Sequence, residues 1–192
     1  MSDADPGASR VRVWRRTDGA TLEHCRLLLD DEEGPRIEGA VVGVVDGRPL
    51  RAEYTVACTP DWRTRLAEVV LAHGDEVREL SLATDGAGRW WRDGAELPQL
   101  AGCLDVDVSM TPSTNLLPIR RLALDVGAAR DVPAAWIRVP SLAVELLPQR
   151  YARLAARRWR YESRGGSFVA ELDVDDVGLV TRYGEIWEAV EG

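Results

Sequence analysis

Four Asp-Gly dipeptides, Asp18-Gly19, Asp46-Gly47, Asp85-Gly86 and Asp93-Gly94, cut the first half of the chain into short pieces. Asp-Gly tolerates the positive φ that a tight hairpin turn demands and most residues resist. The pieces between such turns alternate. Ala52, Tyr54, Val56 and Cys58 share one face of 51–58, with Arg51, Glu53 and Thr55 on the other. In 167–175, Phe168, Ala170, Leu172 and Val174 face inward, with Glu171, Asp173 and Asp175 outward. This is the period-2 pattern of half-buried strands. His73-Gly74-Asp75, Arg164-Gly165-Gly166 and Asp176-Val177-Gly178 read as further turns, with His73 at an exposed tip. The punctuation predicts roughly thirteen strands, so the fold class is all-β and mainly antiparallel. That many twisted strands curl, split or close, and a rolled sheet encloses a lumen that must be filled or left for a ligand.

Two segments stand apart. Residues 113–122 predict a short helix, with Ser113 as N-cap and Pro118 near the first turn, where its missing N–H costs least. Residues 148–160 are rich in Ala, Leu and Arg and permit a helix. Tyr151, Trp159 and Tyr161 fall at even spacings just before the Arg-Gly-Gly turn, however, and the segment is read as strand.

Composition bounds the remainder. A chain of 192 residues, 45% hydrophobic and 29% charged, fits one β domain, taken as 11–190 after a disordered tail over 1–10 that has no signal-peptide character. A net charge of −8, with lysine absent and all 24 basic residues arginine, argues against nucleic acid as a partner. No apolar run reaches the roughly 18 residues of a membrane span. Cys25, Cys58 and Cys103 are odd in number and far apart, which reads as reduced thiols and a cytoplasmic protein.

Few residues offer chemistry. His24 and Cys25 are neighbours on a strand and point to opposite faces, so they form no dyad. With two histidines in all, neither a metal site nor histidine catalysis is expected. Asp173 to Gly184 imitates a calcium loop but has Val177 and Gly184 where ligands belong. No nucleophile elbow, phosphate loop or cofactor fingerprint occurs, so no catalytic residue and no cofactor is assigned. Asp105 and Asp107 share one strand face, as a solvated face, a cation site or an acid–base pair would have them. The arginines at 150, 153, 157, 158, 160 and 164 are interleaved with aromatics and read as a solvated face that can also meet an anion. Seven tryptophans against one phenylalanine favour apolar walls with a wet mouth, although packing alone accounts for most of them.

One stretch is distinctive: Asp105-Val-Asp-Val-Ser-Met-Thr-Pro-Ser-Thr-Asn-Leu-Leu-Pro-Ile-Arg-Arg-Leu122. It resembles the signature of a bacterial glycolipid-binding family, D-x-D followed by T-P-x-T-N-x-L-P-I-R-R-L. In-order matches surround it: Gly39, Tyr54, Trp62-Arg-Thr-Arg65, Asp85-Gly86 through Trp90, Gly102-Cys103, Gln149-Arg-Tyr151, Tyr161-Glu162 and Gly178-Leu-Val180. They cover roughly residues 12–188 by the same reading. The closing segment departs by having Gly184 where the family has proline. The resemblance implies a curved sheet spiralling into a half-open roll around the 113–122 helix, similar to lipoprotein carriers, and a homodimer. It also implies a lipid or glycolipid as partner, with no enzymatic step. Arg120, Arg121 and Asn115 would orient the head group, and Asp105, Asp107, Trp90, Gln149 and Tyr151 would complete the site. Two other readings stay open. The helix, through Leu116, Leu117, Ile119 and Leu122, fills the lumen of a purely structural module, with the arginines (Arg120 on Asp105 above all) locking it to the D-x-D strand. Alternatively, Asp105 and Asp107 serve a hydrolase.

Overall fold

The computed structural model describes residues 9–29 and 33–190. Eight strands come first: β1 (Ser9–Arg16), β2 (Thr21–Leu28), β3 (Arg36–Val45), β4 (Arg48–Cys58), β5 (Thr64–His73), β6 (Glu76–Thr84), β7 (Trp90–Arg92) and β8 (Ala95–Glu96). After β9 (Asp105–Val108), a 3-10 turn over Ser113–Asn115 leads into α1 (Leu116–Leu122). Six strands follow: β10 (Ala129–Arg138), β11 (Ala143–Ala155), β12 (Arg158–Ser163), β13 (Phe168–Val174), β14 (Val180–Tyr183) and β15 (Trp187–Ala189). The tail expected over 1–10 lies almost wholly outside the described residues; β1 already begins at Ser9.

Every strand belongs to one sheet, ordered β8-β7-β6-β5-β4-β3-β2-β1-β15-β14-β13-β12-β11-β10-β9. Pairing is antiparallel throughout except β9 with β10. The strands exceed the thirteen read from punctuation because β7, β8, β14 and β15 hold two to four residues each. Runs that short carry no visible alternation. All four Asp-Gly pairs are turns, and at Asp46-Gly47 and Asp93-Gly94 both residues have positive φ, as a two-residue primed hairpin requires. The 148–160 segment is strand, crossing from β11 into β12. His73 is not an exposed tip. It ends β5 buried, its Nε2 3.1 Å from the Val45 carbonyl, because the neighbouring β3–β4 hairpin covers it.

The two ends of the sheet, β8 and β9, are consecutive in sequence yet do not pair. Instead β9 leans on the start of β5: the Thr64 amide donates to the Leu104 carbonyl (3.0 Å), and the Val106 amide donates to Thr64 Oγ1 (3.0 Å). The sheet therefore overlaps itself as a spiral and does not close. Its overlap is tight at Gly88, whose φ is +101° and where a Cβ would stand 2.9 Å from the Gly102 backbone.

A seven-residue helix has no independent stability, and α1 owes its existence to burial. Leu116 and Leu117, both fully buried, enter the core formed by β2–β6 and β9, while Ile119 enters a second core with Tyr151, Trp159, Tyr161 and Leu172. Each such leucine contributes roughly 1.5–3 kcal/mol. Ser113 does not cap α1; its hydroxyl turns instead into a buried polar cluster described below.

Gly39, on β3, faces inward beneath the Tyr54 ring, and a Cβ there would sit 2.1 Å from the ring. Tyr54 is 3% exposed and held by hydrogen bonds, so it cannot swing aside. Gly39→Ala is expected to cost about 1–3 kcal/mol, the usual range for overpacking a core. Urea denaturation measures this, and a variant as stable as its parent contradicts the packing.

Candidate ligand-binding site

Strand alternation aims a set of side chains into the half of the roll that α1 leaves open. Trp136 on β10 lies in register with Asp107 on β9. Ser163 on β12 pairs with Phe168 on β13, Tyr183 on β14 with Trp187 on β15, and Trp187 with Arg16 on β1. With Tyr161, Thr111 and Asn115 these residues line a cavity of about 280 Å³. Its walls are aromatic. Tyr161 stands edge-on to Phe168 (centroids 5.9 Å apart) and tilted to Tyr183 (6.1 Å). Arg164 stacks on Trp136 (5.3 Å) and Arg16 on Trp187 (5.8 Å) at the rim.

Among the described residues, Asp107 is the one acidic residue lining the cavity. Its Oδ2 accepts from Gln149 Nε2 at 2.5 Å. Burial pushes its carboxyl up to about 6, with the Gln149 hydrogen bond opposing. Protein surrounds this carboxylate on most sides, yet the residue stays partly accessible because it faces the void. Asn115 is held from behind: Tyr151 Oη donates to its Oδ1 (2.8 Å), and its Nδ2 donates to the Pro112 carbonyl (3.1 Å).

The remaining candidate residues are distributed differently. Asp105, on the same face of β9, is not open. Arg121 grips it through Nε (3.0 Å) and Nη2 (2.6 Å), and the Asp105 side chain is 1% exposed. Burial drives that carboxyl upward while Arg121 pulls against it. The arginine expected on Asp105 was Arg120; the structure places Arg121 there, because successive helical residues diverge and only Arg121 turns toward β9. Arg120 is exposed and lies over the Trp62 ring (5.1 Å). Asp107 has no arginine partner either: among the described residues no cation lies within 4.0 Å of it. With Asp105 sealed by Arg121, the two aspartates do not face each other across an open cleft, as a glycosidase pair would. Trp90 is wholly buried, its indole donating to the Cys103 carbonyl (2.9 Å), and it does not line the cavity. Asp107 and Asn115 thus line the cavity, Gln149 and Tyr151 support them, and Asp105, Arg120, Arg121 and Trp90 lie elsewhere.

A second polar group centres on a residue outside the motif-bearing segments. Glu23 faces inward from β2 and is 1% exposed. Its Oε1 accepts from Tyr54 Oη and from Thr111 Oγ1 (2.6 Å), and Ser113 Oγ lies 2.6 Å from Tyr54 Oη. Its Oε2 has no hydrogen-bond partner among the described residues. Burial raises the Glu23 carboxyl to about 8, the Thr111 and Tyr54 hydrogen bonds opposing, so Glu23 is mostly protonated at neutral pH. The signal was present: within Thr21–Leu28 the buried positions are 21, 23, 25 and 27, which puts a glutamate on a core face. Thr111 also lines the cavity, so this network backs one wall. The three cysteines are buried and unpaired, and burial raises their thiols (Cys58 to about 12, Cys103 to about 11), so none is a ready nucleophile. Among the described residues no cluster suits a metal ion, and no helix is long and apolar enough to cross a membrane.

The geometry defines a class: a helix-plugged spiral β-roll that retains an aromatic-walled internal cavity. The chain belongs to the family described as "Putative glycolipid-binding", whose model matches residues 11–189. It is similar to the crystal structure of a DUF1089 family protein from Pseudomonas aeruginosa, with 34% identity and a TM-score of 0.82, covering 89% of this chain and 92% of that one. No curated protein matches the chain.

Proposed function

We propose that the cavity holds the head group of an amphipathic, sugar-bearing lipid, bound without covalent chemistry. The observation that carries this reading is the lining: five aromatic rings share the wall of one cavity with the carboxylate of Asp107 and the carboxamide of Asn115. Aromatic faces suit the C–H surface of a sugar ring, and a carboxylate with a carboxamide suits its hydroxyls. A volume of about 280 Å³ lies at the small end for ligand pockets, so it takes a head group and leaves acyl chains outside. The description of the family points the same way.

Native mass spectrometry of the gently purified chain should reveal a bound lipid, and titration with short-chain glycolipids should quench tryptophan fluorescence. Trp136→Ala should weaken that binding about tenfold, the scale of one lost ring contact. A panel of glycolipids that neither binds nor copurifies, or binding indifferent to Trp136, contradicts the proposal.

A further inference from the structure

The cavity joins two features that a neutral sugar does not require. On its wall, Asp107 presents a carboxylate whose Oδ2 takes Gln149 while Oδ1 meets no donor among the described residues. At the rim stand two guanidinium groups, Arg16 and Arg164. Arg16 is partly neutralised by Asp18 at 3.1 Å. Arg164 meets no carboxylate within 4.0 Å among the described residues and rests on the Trp136 ring. An arginine stacked on an aromatic face keeps its N–H edge free for an anion.

Resting on the reading that this cavity is the ligand site, we propose that its ligand carries both charges: a protonated primary amine seated against Asp107, and a phosphate held at the rim by Arg164 and Arg16. The fold itself gives Asp107 no reason to be acidic. Asp105, two residues away, has a bidentate arginine, whereas Asp107 is a largely enclosed carboxylate with no counter-ion within 4.0 Å among the described residues. Buried charges without partners are rare, and a cation supplied from outside resolves this one. The surrounding rings favour the same cation through their π faces. A primary ammonium fits better than a quaternary one because Asp107 Oδ1 is an acceptor that meets no donor among the described residues, and only an N–H can supply one. An amino-sugar phosphate and a phosphoethanolamine head group both satisfy this chemistry.

Calorimetric titration of the full chain with glucosamine 6-phosphate, glucosamine, glucose 6-phosphate and hexyl glucoside tests the proposal. Glucosamine 6-phosphate should bind at least tenfold more tightly than either singly charged probe. Asp107→Asn, a near-isosteric change that should leave the protein folded and raise its melting temperature, should remove the amine's advantage and spare glucose 6-phosphate. Arg164→Ala should remove the phosphate's advantage and spare glucosamine. A short-chain phosphatidylethanolamine binding more tightly than free phosphoethanolamine would identify the source as a lipid; equal affinity would identify the free head group. If hexyl glucoside binds as well as the charged probes, and equally to Asp107→Asn, the cavity reading stands and this inference fails. If no probe binds, both fail.

Discussion

Arg121→Ala is expected to destabilise the protein by about 3–5 kcal/mol, and Arg120→Ala by about 1 kcal/mol or less, although the two arginines are adjacent in the most distinctive segment of the chain. The difference is positional. Arg121 holds both oxygens of Asp105, whose side chain is 1% exposed. Removing the guanidinium leaves a carboxylate desolvated, with nothing to oppose it. Arg120 is exposed over Trp62, where solvent takes over most of its interactions. Asp105→Ala should cost as much as Arg121→Ala, and the double variant clearly less than the sum, because both unmet charges then disappear together. Urea unfolding of the four proteins at one pH gives the cycle. Additive costs, or a larger loss at Arg120, contradict the pairing.

The second large effect is a fall of stability with rising pH. Glu23 titrates near 4.5 in an unfolded chain and near 8 in the fold. Because the folded value is the higher one, the folded state holds its proton more tightly. The stabilisation is complete below about pH 4.5 and lost as pH climbs through 8. The full span is on the order of 5 kcal/mol. Asp107 adds a smaller fall of the same sign between 3.8 and about 6. The carboxyls held low, Asp61, Asp85, Glu96 and Glu188, reach solvent and act only on the acid side of this window. Glu23→Gln, which is neutral at every pH and keeps the Tyr54 and Thr111 contacts, should flatten most of the slope. A slope unchanged in the variant, or absent in the parent, contradicts a protonated Glu23.

Much of the fold was legible because its signals are local. Asp-Gly pairs fix turns through two residues, alternation in 51–58 fixes the faces of β4, and a Leu-Leu-Pro-Ile run amid strands marks α1. The overlap of β9 on β5 was not legible, since it rests on Thr64 meeting Leu104 and Val106 across 40 or so residues, and no local pattern encodes that contact. The site shows the same division. Asp107, Asn115, Gln149 and Tyr151 were reachable through the family-like motif. Trp136, Tyr161, Phe168, Tyr183, Trp187, Arg16 and Arg164 come together only when β1 pairs with β15 and the sheet curls, and each alone reads as ordinary core or surface. Which of two adjacent arginines faces β9 depends on the phase of a seven-residue helix, and a one-residue error in that phase exchanges their roles.

Everything proposed for this protein depends on a ligand entering the cavity between Trp136 and Trp187. The most direct measurement follows the tryptophan indole N–H resonances of the ¹⁵N-labelled chain during titration with a short-chain aminoglycolipid phosphate. The Trp136 and Trp187 indoles should shift in a saturable way. Those of Trp14 and Trp90, committed in the core to the Val180 and Cys103 carbonyls, should stay fixed. Saturable shifts confined to Trp62 or Trp91, with Trp136 and Trp187 unmoved, would place the ligand elsewhere and contradict binding in this cavity.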